Sequence, residues 1–425
     1  MNSRERVRRA LDHAEPDKIP LDLGAAPVSG MHVQSVYRLR QALGLDAPGT
    51  PVKIIDPFQN LGEIKPDLAD ALSVDIIGIW PRKGLFGFEN TGWKEWEAFE
   101  GTPVLVPEGY NTQPEPDGSI LLYPEGDKSL EPSGRMPAGG WYFDALIRQP
   151  PIDDANLNVE DNLEEFTPLS EDDLSVFEQE IARAYEQTDK AILVNIGGTA
   201  LGDIALVPAT WLRHPKGIRD VEEWYVSLLT RQDYIAELFD RQSQIALDNL
   251  RRLYQVAGDC IDVLYMTGTD FGGQQQPLIS PRVYQKLFKP YHKRLNDWIH
   301  ENTTWKTFMH TDGSLIPLIP HFIEAGFDIL NAVQWTAKNM DPREIKARFG
   351  GDLVFWGGGV DTQKTLPFGS PADVREEVAA RIRDFAPGGG YVFNTVHNVQ
   401  PMVPAENLLA LYEAFNEQRN YPIKV

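Results

Sequence analysis

Short apolar runs of strand length recur along the chain. Each is followed, after a turn, by a helix-length stretch whose apolar positions repeat at helical spacing. The runs are "KIPLDLG" near 18–24, "VDIIGIW" at 74–80, "AILVNI" at 191–196, "IDVLYM" at 261–266, "WKTFMH" at 305–310, "FDILNA" at 327–332, "LVFWGG" at 353–358 and "GYVFNT" at 390–395. This alternation is the sequence form of parallel βα units, and eight such units close a (β/α)8 barrel. The expected fold is therefore α/β: a (β/α)8 TIM barrel, with a doubly wound open sheet as the alternative.

The helical stretches carry their own start signals. "SPADVREEVAARIRDF" offers Ser370 as a cap, Pro371 at the first helical position and an acid in the first turn. "ISPRVYQKLFKPYHKRLNDWIHEN" repeats the Ser-Pro start, and "VPAENLLALYEAFNEQ" opens on Pro404.

One region breaks the rhythm. Residues 82–170 are dense in proline, glycine and acids, show no long helical period, and carry turn dipeptides such as "DG" between apolar runs. We read them as a β-rich insertion after strand 2, a flap over the C-terminal face of the barrel, within a single barrel domain spanning 1–425; an inert surface excursion is the plainer alternative. No repeat of solenoid length is visible.

The formal charge of −22 repels phosphate backbones and anionic lipid headgroups, so neither nucleic acid nor membrane is an expected partner. Cys260 is the only cysteine, which excludes an internal disulfide framework and a thiolate-rich metal site. The N-terminal stretch is charged and has no apolar core of signal-peptide length, and no run is long enough to span a membrane. A cytoplasmic protein, monomeric or homodimeric, is expected.

Candidate chemistry begins where the fifth run stops, in "WKTFMHTDG". Alternate side chains of a strand share a face, so His310 and Asp312 converge if extended geometry lasts two residues past "TFM". The C-terminal end of a barrel strand is where barrel enzymes assemble their sites, and Gly313 permits a tight turn directly afterwards. His397, just after the last run, supplies a third group. Two imidazoles and a carboxylate form an N/O set suited to a divalent ion, with a position left for water or substrate. Taken singly, a strand-end histidine is more often a hydrogen-bonded structural residue, and an aspartate before glycine a turn residue.

Longer strings carry a resemblance. "RERVRRALDHAEPDKIPLDLG", "PLISPRVYQKLFKPYHKRL", "HTDG", "LVFWGGGVDTQKTLPFGSPADVREEV" and "PGGGYVFNTVHNVQPMVPAENLLALYEA" resemble successive landmarks of the uroporphyrinogen decarboxylase superfamily, in particular its cobalamin-linked methyltransferase branch. The resemblance covers the chain apart from 82–170. In that branch a His-x-Cys pair after the fifth strand and a cysteine after the eighth hold zinc, which activates a thiol to accept a methyl group from a corrinoid. Here His310 matches the histidine, Asp312 stands at the first cysteine and His397 at the second. Losing both thiolates leaves a harder, more positive Lewis acid, better matched to an oxygen ligand. The resemblance thus implies a substrate-side methyltransferase, moving a methyl group from a small O- or N-methylated compound to a corrinoid. The expected metal is zinc, although manganese, iron or nickel also suit N/O donors. The chain has no "DxHxxG" corrinoid motif, so the corrinoid is expected on a separate partner protein.

Further site candidates follow from position. Asp270 and Gln274 to Gln276, Gln276 above all, lie in the glycine-bearing loop after the fourth strand, where the resemblance places neighbours of metal and substrate; the glutamate that completes the zinc shell in relatives is missing there. Asp270 is grouped with His310, Asp312 and His397 as catalytic. Asp22, Trp80, Arg82, Tyr265, Gln334, Asp361 and Asn394 sit at or near strand ends and are the remaining substrate-binding candidates. Each has an ordinary structural role as its alternative. Gly357 to Gly359 serve either close turns or the approach of a flat or phosphorylated ligand.

Three other functions compete. A true porphyrinogen decarboxylase needs a cationic cradle for its carboxylates, and "PLDLGAAPVSGMHVQ" after the first strand has no arginine or lysine. A non-catalytic corrinoid-binding protein would have little reason to keep a His/Asp/His set. A metal-dependent lyase, decarboxylase or hydrolase uses the same residues and differs in needing no corrinoid.

Overall fold

A computed structural model describes residues 1–424. Seven parallel strands form one curled sheet, ordered Tyr391–Val392, Val354–Trp356, Ile329–Asn331, Lys306–His310, Val263–Thr267, Ala191–Val194 and Ile76–Ile79. Sequence neighbours are sheet neighbours throughout, which is the barrel pattern and not the doubly wound one.

The eighth place is filled without a regular strand. Leu21 pairs in parallel with Phe393. The Asp22 amide donates to the Phe393 carbonyl at 2.9 Å, and the Asp75 amide donates to the Leu21 carbonyl at 2.9 Å. The segment around Leu21 thus bridges the last strand and the first of the sheet, and the ring closes. Pro20 has no amide hydrogen to give, so the expected 18–24 run is reduced to isolated bridges.

The strands are apolar on both faces, as a covered parallel sheet requires. Ile76, Leu193, Tyr265, Phe308, Trp356 and Val392 pack together inside the barrel. Their alternates, such as Ile192, Met266, Met309, Phe355 and Tyr391, join the larger cluster beneath the helices. This two-residue period fixes which strand-end side chains face the mouth.

The capping signals place the helices. Ser370 caps Pro371–Phe385 in a reciprocal box with Asp373, and Pro404 precedes Ala405–Gln418. The second Ser-Pro start behaves differently: after Pro281–Val283 the chain widens into a π-turn over Tyr284–Phe288 before Lys289–Asn302. Pro290 lacks the hydrogen that a regular ladder needs at that point, and the wider turn absorbs the gap.

The region after the strand Ile76–Ile79 is β-rich, as expected. Lys94–Ala98 pairs with Thr102–Val106, and a second, four-stranded sheet joins Gln113–Pro114, Ile120–Leu122, Gly134–Met136 and Asp144–Ala145. The "DG" at Asp117–Gly118 makes the first turn of that sheet, with Gly118 at φ +82°. The sequence did not announce Val52–Asp56 and Leu61–Gly62, which lie before the second barrel strand and extend the first of these two sheets. Tyr142 of the inserted region donates to Gln400, beside the barrel mouth. No helix among the described residues is long and apolar enough to cross a membrane.

Candidate active site

His310 is the last residue of Lys306–His310. Phe308 points into the barrel and Met309 outward, so His310 points in again, at the C-terminal mouth. Its Nδ1 lies 2.6 Å from Oδ1 of Asn331, whose own Nδ2 donates to the Trp356 carbonyl at 2.6 Å. That second bond fixes the amide orientation, so Asn331 presents an acceptor and His310 carries its proton on Nδ1. The Nε2 lone pair is left facing Asp312, whose Oδ2 is 3.7 Å away.

Extended geometry continues past the strand, since the Thr311 amide donates to the Asn331 carbonyl at 2.8 Å. Asp312 therefore falls on the same side as His310. Its amide donates to Oδ1 of Asp270 at 2.9 Å, and Gln334 accepts from the Gly313 amide at 2.9 Å. The turn is also wedged against the loop after Val263–Thr267. A Cβ on Gly272 would stand 2.3 Å from the Asp312 carbonyl, and one on Gly313, at φ +90°, would stand 2.4 Å from the Gly272 carbonyl carbon. Only glycine allows this contact of backbone on backbone.

His397 arrives from the loop after Tyr391–Val392, with Nε2 3.8 Å from Asp312 Oδ2 and its ring 5.4 Å from that of His310. The three donor atoms all lie within 4.8 Å of one another. Donors that share a tetrahedral zinc at about 2.0–2.2 Å stand about 3.3 Å apart, so a small inward movement completes a site. Oδ1 of Asp312 is buried and has no hydrogen-bond partner. The other oxygen, Oδ2, is the one that approaches both imidazoles, at 3.7 and 3.8 Å, so the carboxylate turns one oxygen toward the two histidines and keeps a second without a donor. His310, Asp312 and His397 can thus hold a metal.

The group opens on a cavity of about 490 Å³ lined by Asp312, His397, Gln334 and Asp361, with further glutamine and threonine side chains from the loops around them. Phe368, Val396 and Met402 supply its apolar surface. Burial pushes the Asp270 carboxyl up, an effect that the Asp312 charge reinforces and the His310 and His397 charges oppose. Asp270 acts on the site through the Asp312 backbone.

The remaining candidates divide. Gln334 and Asp361 line the cavity. Asp22, Tyr265 and Asn394 lie inside the barrel: Asp22 accepts from Trp356 Nε1 at 2.9 Å and from the Ala25 amide at 3.1 Å, and burial pushes its carboxyl to about 6. Tyr265 stacks on Phe308 with centroids 5.1 Å apart, and Asn394 donates to the Asp22 carbonyl at 3.1 Å. Trp80 donates to the Ala25 carbonyl at 2.8 Å and lines a second cavity with Arg82. Arg82 is not brought to the site, because Asp173, at 2.9 Å, and Glu89 hold it away. Gln276 is exposed and outside the lining; its carbonyl closes a local turn with Gly273, and Gln274 takes the place beside the cavity. Gly357 and Gly359 serve close packing, since a Cβ would meet Ala332 O at 2.7 Å or the Phe393 ring at 2.5 Å.

Two residues at the site went unnoticed in the sequence. Asn331 was visible only as a polar residue ending "FDILN". Asp203 follows "GGTALG", is buried, and has its carboxyl pushed up to about 6 by that burial and the Asp270 charge.

Residues 147–418 match the family model described as uroporphyrinogen decarboxylase. The chain belongs to the uroporphyrinogen decarboxylase family. Curated relatives include the uroporphyrinogen decarboxylase of Azotobacter vinelandii, 28% identical over 142 residues, 33% of this chain and 38% of that one. That of Pseudoalteromonas translucida is 28% identical over 191 residues, 42% of this chain and 47% of that one. The chain thus spans less than half the length of these uroporphyrinogen decarboxylases. A solved methyltransferase from Methanosarcina mazei superposes over 98% of this chain and 99% of its own, with a TM-score of 0.52 and 16% identity, which shows a shared fold. Within the uroporphyrinogen decarboxylase fold, the triad sits at the ends of the fifth and eighth barrel positions.

Proposed function

We propose that this family member is a metal-dependent methyltransferase, moving a methyl group from a small O- or N-methylated substrate to a reduced corrinoid carried on a partner protein. The observation that carries this reading is the His310–Asp312–His397 group beside a cavity that Asp312 and His397 line and that has no lysine or arginine in its lining. A substrate with several carboxylates, as porphyrinogen decarboxylation requires, would find no cationic partner there.

A divalent ion held by the triad, with zinc the best match to two imidazoles and a carboxylate, supplies Lewis acidity to an oxygen or nitrogen ligand entering from the cavity. The chain's own residues do the positioning. Asn331 keeps the His310 proton on Nδ1 and leaves Nε2 free. Asp270 and Gln334 hold the Asp312–Gly313 turn in place through two backbone amides. The cavity's volume suits a compact molecule, and its glutamines and threonines can donate or accept to orient one. The inserted region touches the rim through Tyr142 and Gln400, which supports a role as cover.

The test is methyl transfer from a panel of methoxy and N-methyl compounds to reduced cobalamin, followed by absorbance. Acceleration by wild type, lost in His310→Ala, supports the reading. Turnover of a substrate with no corrinoid present would favour a lyase or hydrolase built on the same triad.

A further inference from the structure

Three polar side chains on the cavity wall are uncommitted. Gln334, Asp361 and Thr362 all line the cavity and are only 4%, 5% and 5% exposed. Gln334 accepts from the Gly313 amide through its oxygen, so both hydrogens of its Nε2 are left with no acceptor among the described residues. Asp361 accepts from the Gln363 amide at 2.8 Å through Oδ1, and its Oδ2 meets no donor among those residues. The Thr362 hydroxyl likewise makes no hydrogen bond among them. The wall that carries two of these groups is fixed in place. Glu377, on the helix Pro371–Phe385, accepts from the Asp361 amide at 2.6 Å and from the Thr365 hydroxyl at 2.7 Å. Buried polar groups are ordinarily paired, so three that are held and unpaired on one cavity mark contacts that a bound molecule completes.

The mixture of the three groups defines their complement. Gln334 offers only hydrogens, Asp361 only a lone pair, and Thr362 either. A cation satisfies Asp361 and opposes the Gln334 amide. An anion does the reverse and would also stand beside the Asp312 carboxylate, which lines the same cavity. A hydroxyl donates to one and accepts from the other, so several hydroxyls on one skeleton satisfy the whole set. The rim adds an apolar face: Phe368 is 73% exposed, Met402 is exposed too, and both line this cavity. An aromatic ring at the edge of an amide- and carboxylate-rich cavity suits a molecule with hydroxyls around its periphery and C–H groups on its flat side. Sugar and cyclitol rings have that build, and about 490 Å³ accommodates one.

We infer that the substrate of this cavity is a neutral O-methylated polyol of sugar size, its hydroxyls recognised by Gln334, Asp361 and Thr362 and its C–H face by Phe368. The inference rests on the methyltransferase reading for the reaction but not for binding itself. An ether oxygen keeps a lone pair to offer a divalent ion on the triad, which a protonated or quaternary amine does not. In the transfer, the C–O bond of the methyl ether breaks with its electron pair remaining on oxygen. The methyl group passes to the two-electron nucleophile, the reduced corrinoid. The oxygen then takes a proton from solvent, and the product is the parent polyol.

The test is a ligand-observed NMR titration of the full chain in zinc-containing buffer. The probes are 3-O-methyl-D-glucose and 3-O-methyl-chiro-inositol; the comparators are 4-methoxytetrahydropyran, a ring ether without hydroxyls, and 4-methoxybenzoate, an anion. At least one polyol ether is expected to bind about tenfold more tightly than either comparator. Asp361→Asn keeps the oxygen that accepts from the Gln363 amide and turns the open one into a donor, so it should weaken that binding about tenfold. Phe368→Ala changes an exposed position where folding is not at stake and should weaken it several-fold, which keeps the test decisive should Asp361→Asn fail to fold. Equal or tighter binding of a comparator, a preference unchanged in both variants, or no binding of either polyol ether would overturn the inference. Methyl transfer is read separately. Selective polyol binding without transfer from any compound would sink the methyltransferase reading alone, and transfer from hydroxyl-free ethers without polyol binding would sink this inference alone.

Discussion

Nδ1 of His310 and Oδ1 of Asn331 stand 2.6 Å apart across neighbouring barrel strands, and this bond decides which imidazole nitrogen faces Asp312. Asn331→Ala removes the acceptor and frees the ring to rotate or change tautomer. Metal affinity is expected to fall by about 10–100-fold, the usual effect of losing such a support. Asn331→Asp keeps an acceptor for Nδ1 but sets its second oxygen against the Trp356 carbonyl, so it should recover only part of the affinity. Competition of each variant against a chelator of known affinity measures the difference.

Gly313→Ala is expected to loosen the triad without unfolding the barrel. The position combines φ +90° with a backbone neighbour at 2.4 Å from any added Cβ, and strain of this kind costs about 1–3 kcal/mol. The turn must shift, taking Asp312 with it. Thermal denaturation should show a modest loss of stability, and metal titration a much larger loss of affinity. Equal affinity in variant and wild type would mean that the turn does not position Asp312.

Asp22 gives a pH signature in stability. Burial raises its carboxyl from 3.8 to about 6 in the fold, so between those values the folded chain holds a proton that the unfolded chain has released. Unfolding in that window sheds a proton, and stability falls as pH rises through it, by about 3 kcal/mol in all at 1.36 kcal/mol per unit. Asp22→Asn lacks this term. Denaturant titrations at pH 4 and pH 7 should therefore show wild type losing more stability than the variant as pH rises. An equal change in both would remove Asp22 as the source.

Much of this was legible in the sequence for reasons that can be named. His310, Asp312 and the inward face of the fifth strand follow from a two-residue period and a strand end, and these are local properties. Asn331 depends on the register between two strands, which no local pattern states. The 18–24 run looked like a strand because its apolar spacing is right, but Pro20 limits it to isolated bridges. Val52–Asp56 is held by pairing with Thr102–Val106, some fifty residues away in sequence, so its place in a sheet is invisible locally. Arg82 looked free to meet substrate until Asp173 and Glu89 approached it from other elements.

The central claim is that His310, Asp312 and His397 hold one divalent ion. Metal analysis of purified wild type beside His310→Ala and His397→Ala, each checked for folding by circular dichroism, tests it directly. The account predicts about one ion per chain in wild type and essentially none in either variant. Metal content that is unchanged in both variants, or a wild type that takes up no ion when supplied with zinc, would contradict it.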